Sequence, residues 1–232
     1  MAIALIVAAG RGERLGTDRP KAFTLLAGRP MLAWSIDAFR KWDSSVEVVV
    51  AVPQGWSAAS QDESEAIAGC TVCEGGAERS HSVRAALAAA ADQSADQTVF
   101  VHDAARPLVS VALIEALSNA VAEGDGAAAW VAAVPVADTI RVADADQRVT
   151  GTPDRSSLWA MQTPQAFRRD RLQAALDQDD AVLAAATDDA ALVEALGGRI
   201  RLVRSTHDNF KVTSPVDLEL AELMITKRAG AS

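Results

Sequence analysis

A chain of 232 residues, half of them apolar, is long enough for one α/β domain with a full core. Its net charge of −9 argues against a nucleic-acid backbone as partner, and no apolar run approaches the ~20 residues that span a bilayer. The opening MAIALIVAAG lacks the basic start of a signal peptide, so the expected setting is cytoplasmic.

Residues 2–9 (AIALIVAA) read as a strand that turns abruptly into glycine and cation. Gly10, Gly12 and Gly16 interleave with Arg11, Arg14 and Arg19, and Lys21 follows Pro20. A helical pattern over 30–42 precedes a second strand at 46–52 (VEVVVAV), and another helix is expected over 57–68. Cys70 and Cys73 lie in GCTVCEGG, a short β-like run. Two thiols cannot close a tetrahedral zinc site, and a redox pair would open a helix, so both are read as incidental. Helices at 79–91 and 110–122 flank a strand at 98–102, and further strands fall at 127–134 and 199–204. Residues 188–196 read as a helix. The last helix has an explicit start: Ser214 suits the N-cap, Pro215 the first helical position and Asp217 the third. The strands are continuous rather than alternating, as strands covered on both faces tend to be. This rhythm predicts a doubly wound, mostly parallel sheet of α/β class. Residues 137–157 break it, with short β-like pieces around an Asp-Gln turn, and read as a hairpin reaching out of the domain.

In such a sheet, ligands sit beyond the carboxyl ends of the strands, and the unusual residues of this chain fall there. The first loop is not a dinucleotide fingerprint. Its spacing is G-x-G-x-x-x-G, arginines fill the variable positions, and the second strand ends at Val52-Pro53 without an acid for a ribose. No G-K-[ST] closes it as a phosphate-binding Walker loop. A cationic cluster on an acidic chain suits a small, highly charged anion such as a nucleoside triphosphate. Of 22 basic residues only four are lysines, and Lys21 and Lys211 are the two that lie in cation-bearing motifs. An ammonium can follow a moving phosphate oxygen, whereas a guanidinium favours a fixed fork. Asp103 ends a strand beside the small Ala104 and Ala105. It is a candidate ligand for the Mg²⁺ that accompanies a triphosphate, with an ion pair to Arg106 as the alternative. His102 and His207 flank aspartates without zinc spacing and are expected to be structural.

Seven blocks, in order, resemble the 2-C-methyl-D-erythritol 4-phosphate cytidylyltransferase family. They are AAGRGERLGTDRPKAF, GGAERSHSV, VHDAARP, VPVADTIR, TPDRSSLWAMQTPQAF, TDDAALVEALGG and DNFKVTSPVDL. The resemblance implies a Rossmann-like nucleotidyltransferase that uses CTP and Mg²⁺. Ala8, Ala9 and Gly10 would meet cytosine and ribose, with Arg11 and Gly12 in the same nucleotide loop. Gly76 and Ser82 would complete the base pocket, supported by Arg79. Arg14 and Lys21 would hold the triphosphate, Asp103 the metal, and Ala104 would lie near the sugar. Thr139, Arg155 and Lys211 would bind the methylerythritol phosphate, with Arg106 in reach. Ala77 stands where some relatives carry an acid, which weakens only a ribose or base contact that backbone groups can replace. Arg14, Lys21, Lys211 and Arg155 are thus the expected catalytic set.

The expected reaction is transfer of CMP from CTP to 2-C-methyl-D-erythritol 4-phosphate with release of pyrophosphate. A cytidylyltransferase for another alditol phosphate, such as ribitol 5-phosphate, and a non-catalytic nucleotide-binding regulator are the rivals. An arm at 137–157 too small for its own core should pack on a second copy. Because it carries Thr139 and Arg155, the expectation is a homodimer whose active sites are shared.

Overall fold

The computed structural model describes residues 2–10, 19–91 and 94–230. The chain starts with β1 (Ile3–Val7), then a small hairpin of β2 (Leu25–Leu26) and β3 (Arg29–Pro30), then α1 (Met31–Trp42) and β4 (Glu47–Val52). There follow α2 (Gln61–Ala66), β5 (Thr71–Glu74), α3 (Arg79–Ala89), β6 (Thr98–Asp103), α4 (Val111–Glu123) and β7 (Ala129–Pro135). A two-stranded arm, β8 (Val142–Ala143) with β9 (Val149–Gly151), leads into β10 (Trp159–Arg168). The chain closes with α5 (Arg169–Leu176), α6 (Asp180–Ala185), α7 (Asp189–Ala195), β11 (Ile200–Arg204) and α8 (Pro215–Gly230).

Seven strands form one sheet in the order β11-β7-β10-β6-β1-β4-β5. All neighbours are parallel except β10, which runs antiparallel to both β6 and β7. The alternation of β1 shows why its run is apolar throughout. Ala4 and Ile6 pack under Leu32, Ile36 and Phe39 of α1 and Ile114 of α4. Ile3 and Leu5 face Val83 and Leu87 of α3 and Leu172 of α5 on the other side. Both faces are covered, as a parallel sheet requires. A third, smaller cluster joins α8 to β2 through Ala221, Ile225 and Leu26. Among the described residues no helix is long and apolar enough to cross a membrane.

The start of α8 follows its sequence signal. Asp217 N–H donates to Ser214 Oγ at 3.3 Å, and Ser214 N–H donates back to Asp217 Oδ2 at 2.8 Å. The arm is also as expected: Asp144 Oδ1 accepts the N–H groups of Asp146 and Arg148, and Gln147 takes a left-handed φ of 64° at the tip.

Other elements differ from the sequence expectation. The helix expected over 57–68 is only α2. Ser60 caps it by accepting Glu63 N–H, while Glu63 Oε2 accepts Ala59 N–H, so a local Ser-x-x-Glu box sets its start. Sequence reasoning assigned no strand to β10, nor helices to α5 and α6. In β10, Gln162, Thr163, Pro164 and Gln165 read as loop chemistry, yet this stretch is buried. Its polar side chains find partners inside: Gln165 Nε2 donates to Asp188 Oδ2 at 2.8 Å, and Gln162 Oε1 accepts Asn209 Nδ2 at 2.9 Å. Pro164 falls where the β10–β7 register shifts, so no ladder bond depends on its missing N–H.

Phe100 anchors the face under α1. It is fully buried, 5.6 Å from the Phe39 ring and 5.3 Å from the Trp42 ring. Phe100→Ala should therefore cost about 3–5 kcal/mol, measured as a lower urea midpoint with an unchanged slope.

Candidate active site

The carboxyl ends of β1 and β6 open onto a cleft of about 580 Å³. Its floor is Ala8, Ala9, Gly10 and Ala104, small residues that let a ligand approach the backbone. Gly76 and Ser82 form one wall, where Gly76 N–H donates to Ser82 Oγ at 3.1 Å. The wall is tight. A Cβ on Gly75 would lie 2.5 Å from Ala9 Cβ, and one on Gly76 would overlap His81 Cβ, so the two glycines allow the turn into α3 to close against β1.

Lys21 and Lys211 also line the cleft. Lys21 opens a single 3₁₀ turn, Lys21–Phe23, in which Phe23 N–H donates to Pro20 O at 2.9 Å. Phe23 is fully buried and stacks on Trp56 at 4.4 Å. Lys211 is delivered by its neighbours: Val212 N–H donates to Ala105 O at 2.8 Å, and buried Asn209 Nδ2 donates to Thr163 O at 2.9 Å.

Asp103 lies between charges. Its Oδ1 accepts Arg79 Nε at 2.9 Å and its Oδ2 accepts Lys211 Nζ at 2.7 Å. Burial by itself would raise the Asp103 carboxyl, but Arg79 and then Lys211 overturn that and hold it far below the usual carboxylate range. Asp103 is thus an anion at any ordinary pH. Arg79 also reaches the fully buried Asp189 of α7 through Nη1.

A backbone cradle, two lysines and one fixed carboxylate at the strand ends suit a polyanion. Residues 2–227 match the model of a family described as 2-C-methyl-D-erythritol 4-phosphate cytidylyltransferase. The chain belongs to that family. Among its relatives, the enzyme of that name from Frankia casuarinae is 46% identical over 97% of this chain and 81% of its own length. The one from Prochlorococcus marinus is 43% identical over 97% of this chain and 99% of its own. The crystal structure of the Thermus thermophilus cytidylyltransferase superposes with a TM-score of 0.76 at 34% identity, covering 97% and 98% of the two chains. The doubly wound, mostly parallel α/β architecture is therefore that of a cytidylyltransferase, and the chain is an enzyme of this class.

Not every expected cytidylyltransferase residue lies in the cleft. Arg11, Gly12 and Arg14 fall outside the described residues. Arg79 was expected only to support the base loop, but it spans Asp103 and Asp189. The alternative ion pair of Asp103 with Arg106 is not formed: Arg106 Nη1 donates to Asn209 O at 2.8 Å. Arg155 lines a second cleft of about 450 Å³ with Ser156, Arg204 and His207, and its Nη1 donates to Ala137 O at 3.0 Å. Thr139 is exposed at the base of the arm and lines neither cleft.

Sequence reasoning missed Asp189, which stood inside TDDAALVEALGG as one of three consecutive polar residues. At the first position of the helix, beside the Asp188 cap, it looks like an ordinary first-turn acid. It also missed Thr163, whose Oγ1 accepts Asp103 N–H at 3.0 Å. The same hydroxyl meets His102 Nδ1 at 3.2 Å, while Nε2 faces Arg106 O at 3.2 Å. The carbonyl places the ring proton on Nε2, so Nδ1 accepts from Thr163. His102 is a neutral strut. Its complete burial, opposed by the nearby Asp103 charge, brings its pKa down from 6.5 to about 4.

The folded-state value lies below the unfolded one, so the unfolded chain takes up the extra proton. The stability His102 supports is complete above pH 6.5 and is lost as pH falls toward 4, by about 3 kcal/mol in all. His102→Gln can still donate to Arg106 O from its amide and has no titrating ring. Urea unfolding from pH 7 to 4 should show a smaller loss of stability in this variant than in the wild type, by about that amount.

Proposed function

We infer that the chain transfers CMP from CTP to 2-C-methyl-D-erythritol 4-phosphate, giving 4-diphosphocytidyl-2-C-methyl-D-erythritol and pyrophosphate. The observation that carries this reading is the meeting of Lys21, Lys211 and an ionised Asp103 over a small-residue cradle, in a chain of this family. The rival acceptor, ribitol 5-phosphate, has no support among the curated relatives considered, which are named for the methylerythritol phosphate.

In this reaction an oxygen of the acceptor phosphate attacks the α-phosphorus in line, and the bond to the bridging oxygen of the β-phosphate breaks. The acceptor oxygen is already ionised, so no general base is needed. What remains is to bring two anions together and spread the charge of the transition state. Lys21 and Lys211 supply that charge. The backbone of Ala8, Ala9 and Gly10, with Gly76 and Ser82, seats cytidine, and the family resemblance assigns Arg14 to the triphosphate. Mg²⁺ fits the donor set. It takes one or two carboxylates and completes its shell with phosphate and water. Asp103 offers one fixed carboxylate, and no cluster of three acidic, histidine or cysteine side chains occurs among the described residues. Bound there, the ion would neutralise charge on the departing pyrophosphate.

The separation of Arg155 and Thr139 from the lysine cleft, together with the exposed Ile140, Val142 and Val149 of the arm, supports a homodimer. Each arm would cover its neighbour, bringing Thr139 and Arg155 to the acceptor phosphate of the other site. A cytoplasmic setting agrees with the two free cysteines.

Incubation with CTP, Mg²⁺ and the acceptor should release pyrophosphate and form the CDP-alcohol. Ribitol 5-phosphate as the better acceptor would overturn the substrate assignment. Lys21→Ala should lower turnover by at least ~10²-fold with the fold intact, and Lys21→Arg should rescue poorly because a planar fork differs from an ammonium. Shared sites also make a counting prediction. In exchanged mixtures of Lys21→Ala and Arg155→Ala chains, half the dimers are mixed and each holds one intact site, so about a quarter of all sites recover. Verified exchange without recovery excludes the sharing.

A further inference from the structure

We propose that Asp189 is a positioning residue for Asp103 and Lys211, acting through Arg79. The inference rests on the reading of the Lys21–Lys211 cleft given above. Asp189 touches no cleft surface. It is fully buried at the start of α7, and its link to the cleft is the guanidinium of Arg79.

That guanidinium is held in a divided way. Nη1 goes to Asp189, Nε goes to Asp103 Oδ1 at 2.9 Å, and Nη2 is buried without a hydrogen-bond partner. Arginine beside a single carboxylate favours a two-pronged fork, giving two parallel N–H groups to the two oxygens. Nε and Nη2 share one edge of the guanidinium and could make such a fork on Asp103. They do not: Asp103 Oδ2 is held by Lys211 Nζ at 2.7 Å. Asp189 draws the guanidinium toward α7, so Arg79 takes one oxygen of Asp103 and leaves the other to Lys211. The Lys211 side chain is 42% exposed, so it stays over the cleft while tethered by that oxygen.

Without the Asp189 charge, Arg79 closes its fork on Asp103 and Lys211 loses its tether. The ammonium then no longer sits where charge develops on the transferring phosphoryl, and a small misplacement of a catalytic group is costly. The loss falls on turnover rather than on CTP binding, because the backbone cradle is untouched.

The test is a double-mutant cycle on the full-length enzyme, with turnover expressed per folded site counted by CTP-binding stoichiometry. Asp189→Asn should lower kcat about tenfold while KM for CTP stays within about threefold. In an Arg79→Gln background the same substitution should change kcat by less than about twofold, since the fork no longer exists to be closed. A purely structural role predicts a lower Tm with unchanged kcat per folded site, and that result overturns the proposal. Should Asp189→Asn fail to fold, Arg79→Gln and Arg79→Gln/Asp189→Asn remain to be compared, the latter removing both buried charges together. Equal turnover supports the proposal, and a drop beyond about fivefold overturns it. Wild-type turnover in Lys211→Ala would instead sink the reading of the cleft itself.

Discussion

A carboxylate at the end of a buried strand stays ionised only when cations meet it from inside the protein. Asp103 is met twice, by Arg79 from α3 and by Lys211 from the segment before α8. These three charges come from positions 24 and 108 residues apart along the chain. Their meeting requires that α3 lie over β1, β4 and β5 with its first residue turned to the end of β6, and that the chain return across the sheet end after β11. Removing one member of such a buried set leaves a charge without compensation, which is far more costly than losing an exposed pair.

The antiparallel β10 makes this possible. Inserted between β6 and β7, it brings Gln162, Thr163 and Gln165 into the interior. Thr163 fixes the Asp103 backbone and the neutral His102, Gln162 holds Asn209 beside Lys211, and Gln165 meets the turn into α7. A parallel apolar strand in this place would fill the sheet but leave the polar groups near the site without partners. The cost of burying these side chains is offset because they are paired.

Around this centre the remaining candidate residues divide by element. The proposed nucleotide cradle is backbone and small side chains on the sheet end, where strand geometry sets distances. Arg155 and Thr139 stand away from it, on either side of a two-stranded ribbon with exposed apolar residues. A ribbon of that size lacks a core of its own. Its energetics make sense against another surface, which is why the proposed homodimer belongs to the same functional reading as the two clefts.

The amino-acid sequence by itself determined the class of fold, the strand that leads into the glycine loop, the capped start of α8, the protruding arm and the family. Each rests on local chemistry: continuous apolar runs, a Ser-Pro-x-Asp cap, a polar turn, and motif blocks whose order is specific. It also singled out Lys21, Lys211 and Asp103, because rare lysines and a strand-ending aspartate are visible without knowing what they touch. Tertiary structure alone decided that Gln162–Gln165 form a central strand, since polar residues read as loop until their interior partners are known. It decided that Asp103 pairs with Arg79 and Lys211 rather than with Arg106, three residues away, whose guanidinium is turned to the Asn209 carbonyl. And it decided that Asp189 is buried against Arg79, 110 residues distant, because a carboxylate's worth depends on which charge the fold brings to it.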